Sequence, residues 1–191
     1  MERFELEKLG GAVEKRYRRM RPEVEALPWG TLDLHGVPEH ERVRARLAWT
    51  TAAYQEHRTG VGVTEALGLL MQARAPLDLI ALGARFPLDE IVHVELCARM
   101  AMEAGGGTEV LYEPTEMILG ATFQGRPLLR AAELMVRFFC VGEALSIPLL
   151  RGNWKAARHP LARAVLGRIV KDEAAHGTFG YLFLDWADSL L

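Results

Sequence analysis

The chain has 191 residues, half of them hydrophobic and a quarter charged, with a formal net charge of −2. This length suits one domain with a sizeable core. The near-neutral balance, without a block of like charge, argues against nucleic acid or an anionic membrane as the main partner. Two cysteines are too few for a disulfide framework, and the sequence shows no secretory signal or apolar run of membrane-span length. We therefore expect a cytoplasmic protein.

The first 37 residues are predicted to form an extension that packs on the rest of the chain. A charged helix is predicted over about residues 2–20. The connector that follows, "LPWGTLDLHGVP", contains proline and glycine and is predicted to lack regular structure.

Residues 38–191 are predicted to form a helical domain, because their apolar residues recur every three or four positions. Helices are expected over about residues 38–73, 76–104, 126–152 and 160 to the end, with a loop over 105–124. Pro76 and Pro160 suit helix starts, where a missing N–H loses no partner. Pro87 and Pro148 are predicted to kink the second and third helices.

An internal repeat relates the two halves of this domain. The stretch "ARAPLDLIALGARFPLDEIVH" (73–93) aligns with "ARHPLARAVLGRIVKDEAAH" (157–176) after a slip of one residue. Both stretches begin at a helix turn and end in Asp-Glu-x-x-His. From the residue frequencies, Asp-Glu-x-x-His is expected only about 0.02 times by chance. A duplicated helical hairpin is the simplest explanation.

The repeated motif places ionisable side chains on apolar helix faces. Residues three apart share one face of a helix, so Glu90 and His93 can reach one point, as can Glu173 and His176. Each pair interrupts a stripe of apolar or small residues and is predicted to be buried. A buried carboxylate must be paired, hydrogen-bonded, protonated or bound to a metal. Because no lysine or arginine lies on those stripes, a metal is the favoured interpretation.

The hairpin geometry predicts two further metal ligands. In an antiparallel helix pair, residues equidistant from the turn lie at the same height, which places Glu56 level with Glu90 and Glu143 level with Glu173. Both also interrupt apolar stripes. Three other glutamates fall off the ligand stripes and are interpreted as solvated: Glu65, Glu95 and Glu133. The predicted metal ligands are Glu56, Glu90, His93, Glu143, Glu173 and His176.

One Glu from each of two helices and Glu-x-x-His from two others is the ligand set of the four-helix dimetal carboxylate proteins. Over residues 40–188 the sequence resembles the ferritin-like di-iron carboxylate superfamily. The resemblance implies an all-α, antiparallel four-helix bundle holding two iron ions, with manganese or a mixed Mn/Fe pair as alternatives. Glu90 and Glu173 would lie at or near the bridging positions. Asp89 and Asp172 would each accept a hydrogen bond from the histidine of the opposite hairpin.

Four further residues are candidates for the surroundings of the site. Cys97 lies one turn after His93, where relatives carry a redox-active tyrosine or a cysteine, and plain packing is the alternative. Ser146 resembles a hydroxyl residue near the oxygen site of desaturase-like members, or bonds its own backbone. Gly60 and Gly180 either leave a cavity for oxygen or substrate, or permit close helix packing.

Three functions are compatible with this pattern. The first is an oxidoreductase that uses O2 or peroxide to oxidise a small organic substrate by hydroxylation, N-oxygenation or desaturation, with an electron-donor protein as partner and a homodimer as one assembly. The second is a ferroxidase, iron-handling or peroxide-scavenging protein like bacterioferritin or rubrerythrin. The third is a bundle with a structural metal clip. The extension over residues 1–37 favours the first, since it could cover a substrate pocket.

Overall fold

The computed structural model describes residues 1–117 and 125–191, and within them the chain is mostly helical, as the apolar spacing predicts. The one sheet in these ranges is an antiparallel pair of two-residue strands, β1 (Glu2–Arg3) and β2 (Leu111–Tyr112). The α-helices are α1 (Gly11–Met20), α2 (Pro22–Glu25), α3 (Glu39–Gln72), α4 (Leu77–Gly83), α5 (Phe86–Glu103), α6 (Pro127–Leu134), α7 (Glu143–Ala156) and α8 (Pro160–Ala187). A π-helix (Met135–Gly142) joins α6 to α7, and a 3₁₀ turn covers Pro114–Met117.

The first hairpin consists of α3 packed antiparallel along α5. Near its open end, the Arg46 side chain donates from Nε to the Gly106 carbonyl oxygen at 2.9 Å. Helix α5 ends there because Gly105 and Gly106 take positive φ angles, 108° and 119°, which side chains disfavour. At mid-height, Gly60 of α3 lies against Glu90 of α5.

The second hairpin consists of α6, the π-helix and α7 packed antiparallel along α8. Gly167 lies against Trp154 near the turn, and Gly180 lies against Cys140 farther along. His159 caps α8, because its Nδ1 accepts from the Leu161 N–H at 3.2 Å. The two hairpins meet where α5 contacts α8 and where α3 contacts α6 and the π-helix.

Two of the predicted long helices are interrupted. The second, expected over 76–104, is broken at Ala84 and Arg85, a few residues before the expected kink at Pro87. Pro87 instead occupies the first turn of α5, where a proline costs no hydrogen bond. The third helix contains the eight-residue π-helix, which the 3.6-residue period did not predict. Residues 118–124 of the predicted loop lie outside the described ranges.

The N-terminal residues differ most from the prediction. The helix expected over 2–20 begins only at Gly11, and residues 2–3 pair with Leu111–Tyr112 instead. From there the segment crosses the outer side of α3 and α5, where Lys8 Nζ lies 2.8 Å from Glu95 Oε1 and the Gly30 N–H donates to Glu103 at 2.8 Å. Among the described residues, no helix combines the length and apolar character that a membrane crossing needs.

Candidate metal centre

The predicted ligands form a polar layer between two apolar cores. One core, near the α3–α4 turn, includes Val63, Phe86 and Phe179, and the other includes Leu96 and Ile169. On α5 and α8 the Glu-x-x-His residues fall between members of these two cores. The side chains of this layer are almost completely buried: Glu90, His93, Glu173 and His176 are at most 4% exposed, Glu143 is 7% exposed, and Glu56 is partly exposed.

The first group of donor atoms comes from α3, α5 and α8. His93 Nδ1 lies 3.7 Å from a Glu56 oxygen, 3.8 Å from a Glu90 oxygen and 3.2 Å from a Glu173 oxygen. One donor atom from each of these four side chains lies within 4.8 Å of the others. Glu56 thus lies beside Glu90, as the antiparallel hairpin predicts, and its role as a metal ligand stays a prediction.

The second group comes from α7 and α8, with Glu90 close by. His176 Nδ1 lies 3.0 Å from Glu173, 3.3 Å from Glu90 and 3.8 Å from Glu143. Donor atoms of Glu143, Glu173 and His176 again lie within 4.8 Å of one another. Glu173 belongs to both groups, and Glu90 lies close to both histidines, so these two carboxylates lie between the two donor sets.

Several atoms that point into this layer have no hydrogen-bond partner within residues 1–117 and 125–191. They are buried, and such atoms are normally satisfied because an unpaired polar group loses its hydration without compensation. A cation held between the two histidines would satisfy oxygen and imidazole nitrogen together, and both atom types bind iron, manganese and zinc. The residues therefore fit a metal centre. The unpartnered atoms are Glu90 Oε1 and Oε2, Glu173 Oε2, His93 Nδ1 and His176 Nδ1.

Aspartates of the opposite hairpin face the outer nitrogens of both histidines. His93 Nε2 lies 3.1 Å from Asp172 Oδ2, and His176 Nε2 lies 3.6 Å from Asp89 Oδ2. A proton on Nε2 leaves Nδ1 free as a lone-pair donor towards the centre of the layer. Asp172 therefore hydrogen-bonds His93, as the resemblance implies, whereas His176 Nε2 makes no hydrogen bond among the described residues and Asp89 only lies near it.

Two arginines, which the sequence analysis did not consider, balance the charge of the aspartates. Arg85 Nε lies 3.0 Å from Asp89, and its terminal nitrogen lies 3.4 Å from Asp172. Arg168 also forms an ion pair with Asp172. The repeat contained a signal for both, because each arginine precedes its aspartate by four residues, the spacing of neighbours on one helix face.

The pKa values show how the cluster balances its charge without metal. Burial raises the pKa of Glu56 to about 7 and that of Glu143 to about 8. Burial also acts to raise the pKa of Glu90 and Glu173, but the two nearby histidines outweigh it and lower both. The carboxylates overcome the effect of burial on His176 and raise its pKa to about 11. Metal binding must therefore displace protons from the cluster.

The second hairpin presents Glu143 in an unusual backbone setting. Glu143 is the first residue after the π-helix, and its N–H bonds to the Phe138 carbonyl five residues earlier. Its Oε2 accepts a hydrogen bond from the Ser146 hydroxyl at 2.7 Å, so Ser146 bonds the carboxylate rather than the backbone. π-Helical turns are rare and are frequent at functional sites.

The structure distinguishes among the other candidate residues of the pocket. A Cβ on Gly180 would lie 2.7 Å from Cys140 Sγ and 2.9 Å from Phe139 Cβ, so this glycine permits close packing. A Cβ on Gly60 would make an ordinary 3.4 Å contact with Glu90. Cys97 is buried in the apolar core below His93, and burial raises the pKa of its thiol. We see no reactive environment for it.

Glu95 is not solvated, contrary to the interpretation from its position off the ligand stripes. It is 7% exposed and lies 2.5 Å from the buried guanidinium of Arg21 and 2.8 Å from Lys8. The two cations come from the N-terminal segment, and nothing in the local pattern around Glu95 indicates them. Glu65 and Glu133 both pair with Arg130, and Glu133 is exposed.

Comparison of the chain with models of protein families, with curated proteins and with solved structures gave no match.

Proposed function

We propose that this protein is a non-haem dimetal oxidoreductase of the ferritin-like type, with two iron ions held in one four-helix bundle. The observation that carries the proposal is the pair of buried Nδ1 atoms on His93 and His176. Both lie near Glu173 and Glu90, and neither has a hydrogen-bond partner among the residues that the structure describes. Two irons that share carboxylates supply the electrons that reduce O2 or peroxide. Manganese or a mixed Mn/Fe pair would suit the same donor atoms.

The protein residues have separate tasks in this proposal. Glu56 with His93 and Glu143 with His176 would hold one metal each, and Glu90 with Glu173 would lie between the metals. Asp172 would fix the orientation of the His93 imidazole through its hydrogen bond, and Asp89 faces the outer nitrogen of His176. The aromatic rings of Phe86 and Phe139 lie 4.3 Å and 6.4 Å from the His176 ring and exclude water from that side.

We infer that the substrate is a small organic molecule, oxidised by hydroxylation, N-oxygenation or desaturation. This inference is supported by the difference between the two hairpins. The π-helix, the Ser146 hydroxyl and the aromatic rings all lie on the Glu143 side of the cluster. Apolar surroundings on one side of the cluster would suit an organic substrate better than they would suit a hydrated iron ion as substrate.

Iron handling or peroxide removal is the second candidate, because the Glu56 side chain is 16% exposed. A partly exposed ligand gives hydrated ions a route to a buried site. A purely structural metal site is the third interpretation of the same donor atoms. The three readings differ in metal count, in reaction with O2 and in assembly size.

The decisive experiment measures metal content and reactivity together. Metal analysis and an anomalous difference map of the purified protein are expected to show two ions per chain. Fe(II) added without oxygen, followed by O2, is expected to give a transient absorption band. Glu143→Ala should abolish the band, and exposed Glu41→Ala is the matched control.

Three results would contradict the proposal in different ways. One ion per chain without any reaction would support the structural clip. A large multi-subunit shell filled with iron would support iron handling. If the absorption band persisted in Glu143→Ala, Glu143 would not be a metal ligand.

A further inference from the structure

A large cavity lies outside the metal cluster, between the N-terminal segment and the outer side of α3 and α5. Its volume is about 860 Å³, and none of the six predicted metal ligands lines it. This volume falls within the range of small-molecule sites, roughly 300–1,000 Å³. Its lining includes Leu9, Val13, His57, Ile91, Ala98 and Thr108.

The walls of the cavity are mainly apolar and partly open. Leu9 is 87% exposed, Val13 56%, Ile91 45% and Met102 68%, although these side chains surround the same space. Single exposed apolar residues are ordinary, but a contiguous apolar surface of this kind marks a binding site. An apolar ligand would remove all four from water at once.

Four polar atoms of the lining residues are buried and make no hydrogen bond among the described residues. They are Tyr17 Oη, His57 Nδ1, Thr108 Oγ1 and Glu95 Oε2, of which the last is ion-paired with Arg21. The His57 ring is held edge-on against Phe4 at 5.4 Å, which fixes its position. A ligand with one hydrogen-bonding group would therefore find a preformed partner in the apolar wall.

Four of the five charged residues that line the cavity, all but the exposed Glu7, form ion pairs within the described part of the chain. Lys8 is paired with Glu95 at 2.8 Å, and Arg99 with Glu25 at 3.3 Å. A carboxylate or ammonium ligand would have to break an existing ion pair or lose its hydration without compensation. The cavity therefore favours an uncharged head group.

We propose that this cavity binds an uncharged, largely hydrocarbon molecule that carries a single hydroxyl or carbonyl group. The N-terminal segment forms one wall, with β1 pairing and the Lys8–Glu95 contact holding it in place. Gly10 and Gly11 lie within this wall at positive φ, 74° and 57°, with no atoms within 4 Å of an added Cβ. The proposal is independent of the metal chemistry, because it requires no metal ligand.

The test uses the full-length protein with its bound metal and 1-octanol as the probe, measured by titration calorimetry. Saturable binding at one site per chain is expected. Octanoate and octylammonium should bind at least about tenfold more weakly, because their charge must be desolvated. His57→Phe keeps the ring and removes the hydrogen-bonding nitrogen, which should weaken octanol binding about five- to tenfold.

A filling variant locates the binding site. Ala98→Trp places an indole in the cavity and should weaken octanol binding by more than about tenfold, whereas Ala48→Trp, at an exposed position of α3, should leave it unchanged. The proposal is overturned if octanol does not saturate, if both tryptophan variants bind it equally, or if octanoate binds more tightly than octanol. It is also overturned if light scattering shows a dimer that Ala98→Trp dissociates, since a second copy would then cover the cavity.

Discussion

The two Asp-Glu-x-x-His hairpins share a repeated sequence but differ in how they hold the candidate metal centre. In the first hairpin, Glu56 projects from an uninterrupted 34-residue helix. In the second, Glu143 follows a π-helix and accepts a hydrogen bond from Ser146. The histidines differ as well: His93 lies 3.1 Å from its aspartate, whereas His176 lies 3.6 Å from its own.

The comparison shows which features both hairpins share through the sequence repeat and which features are found in the second hairpin alone. The repeat keeps the ligand types and the aspartates, which in the proposed function would hold two metal ions in similar positions. The second half adds a distorted helix, a hydroxyl and aromatic neighbours of His176, which make the two metal positions chemically unequal. Unequal metals suit a reaction in which one ion faces the substrate, so the comparison bears directly on the proposed oxidation.

The largest expected effect comes from the carboxylate that belongs to both donor groups. Glu173→Ala should reduce the metal content from two ions towards none, because both histidines lose their shared neighbour. Glu56→Ala and Glu143→Ala should each leave about one ion, since each removes a ligand from one group only. Metal analysis after dialysis measures all three variants. Equal losses in all three would show that the halves do not bind metal separately.

The next effect concerns the aspartates. Asp172→Asn should weaken metal binding about 10- to 100-fold, the usual consequence of losing a partner of a metal-binding histidine. Asp89→Asn should have a smaller effect, because Asp89 lies farther from His176 and has no Arg168 partner. Competition with a chelator of known affinity gives both constants. If Asp89→Asn lost more metal affinity than Asp172→Asn, the Asp89–His176 pair would matter more for metal binding than the Asp172–His93 pair, contrary to this prediction.

Gly60 and Gly180, each one turn from a predicted metal ligand, should respond differently to a methyl group. Gly180→Ala should destabilise the protein by about 1–3 kcal/mol, because the added Cβ would overlap Cys140 and Phe139. Gly60→Ala should be neutral or slightly stabilising, since its Cβ makes an ordinary contact and alanine favours the helix. Urea unfolding measures both. If both variants lowered the free energy of unfolding equally, the contact of Gly180 with the π-helix would be no tighter than the contact of Gly60 with Glu90.

The pH dependence of thermal stability should reveal the ionisation of Glu56 and Glu143. Their folded pKa values, about 7 for Glu56 and about 8 for Glu143, lie above the ordinary value, so ionisation destabilises the metal-free fold as pH rises. The raised pKa of His176 acts in the same direction, because its stabilising charge is lost towards higher pH. Melting temperatures of the metal-free protein should fall from about pH 6 to about pH 9.

Metal should oppose this trend, because it binds the deprotonated ligands more tightly as pH rises. The difference in melting temperature between loaded and metal-free protein should therefore widen over the same range. Glu143→Gln should flatten the curve of the metal-free protein more than Glu56→Gln does. A curve that both variants leave unchanged would assign the titration to other groups.

The smallest effect is expected from Ser146→Ala. Losing the hydrogen bond to Glu143 should cost about 0.5–1.5 kcal/mol and raise the pKa of that carboxyl further. The metal count should stay at two, whereas the rate of the reaction with O2 should change. Stopped-flow absorbance separates these readouts. If Ser146→Ala instead lost a metal ion, while the protein that kept both ions reacted with O2 at an unchanged rate, Ser146 would only support the position of Glu143.

The sequence predicted the helical fold and the ligand cluster because both depend on periodicity. Glu56 and Glu143 could be located from their height relative to the motif, since antiparallel helices keep residue spacing across a turn. The π-helix could not be predicted, because apolar spacing does not distinguish one inserted residue from a helix of normal pitch. Glu95 was misinterpreted because its partners, Lys8 and Arg21, lie more than 70 residues away in sequence.

The long-range attachment of the N-terminal segment also has a consequence for folding order. Its contacts join residues 87 and 145 positions apart, in Lys8–Glu95 and Glu23–Arg168, whereas each hairpin forms between near neighbours in sequence. Contacts that close long loops form late, because their entropy cost precedes any gain. The hairpins should therefore assemble first, and residues 1–37 should be among the last to reach their native positions.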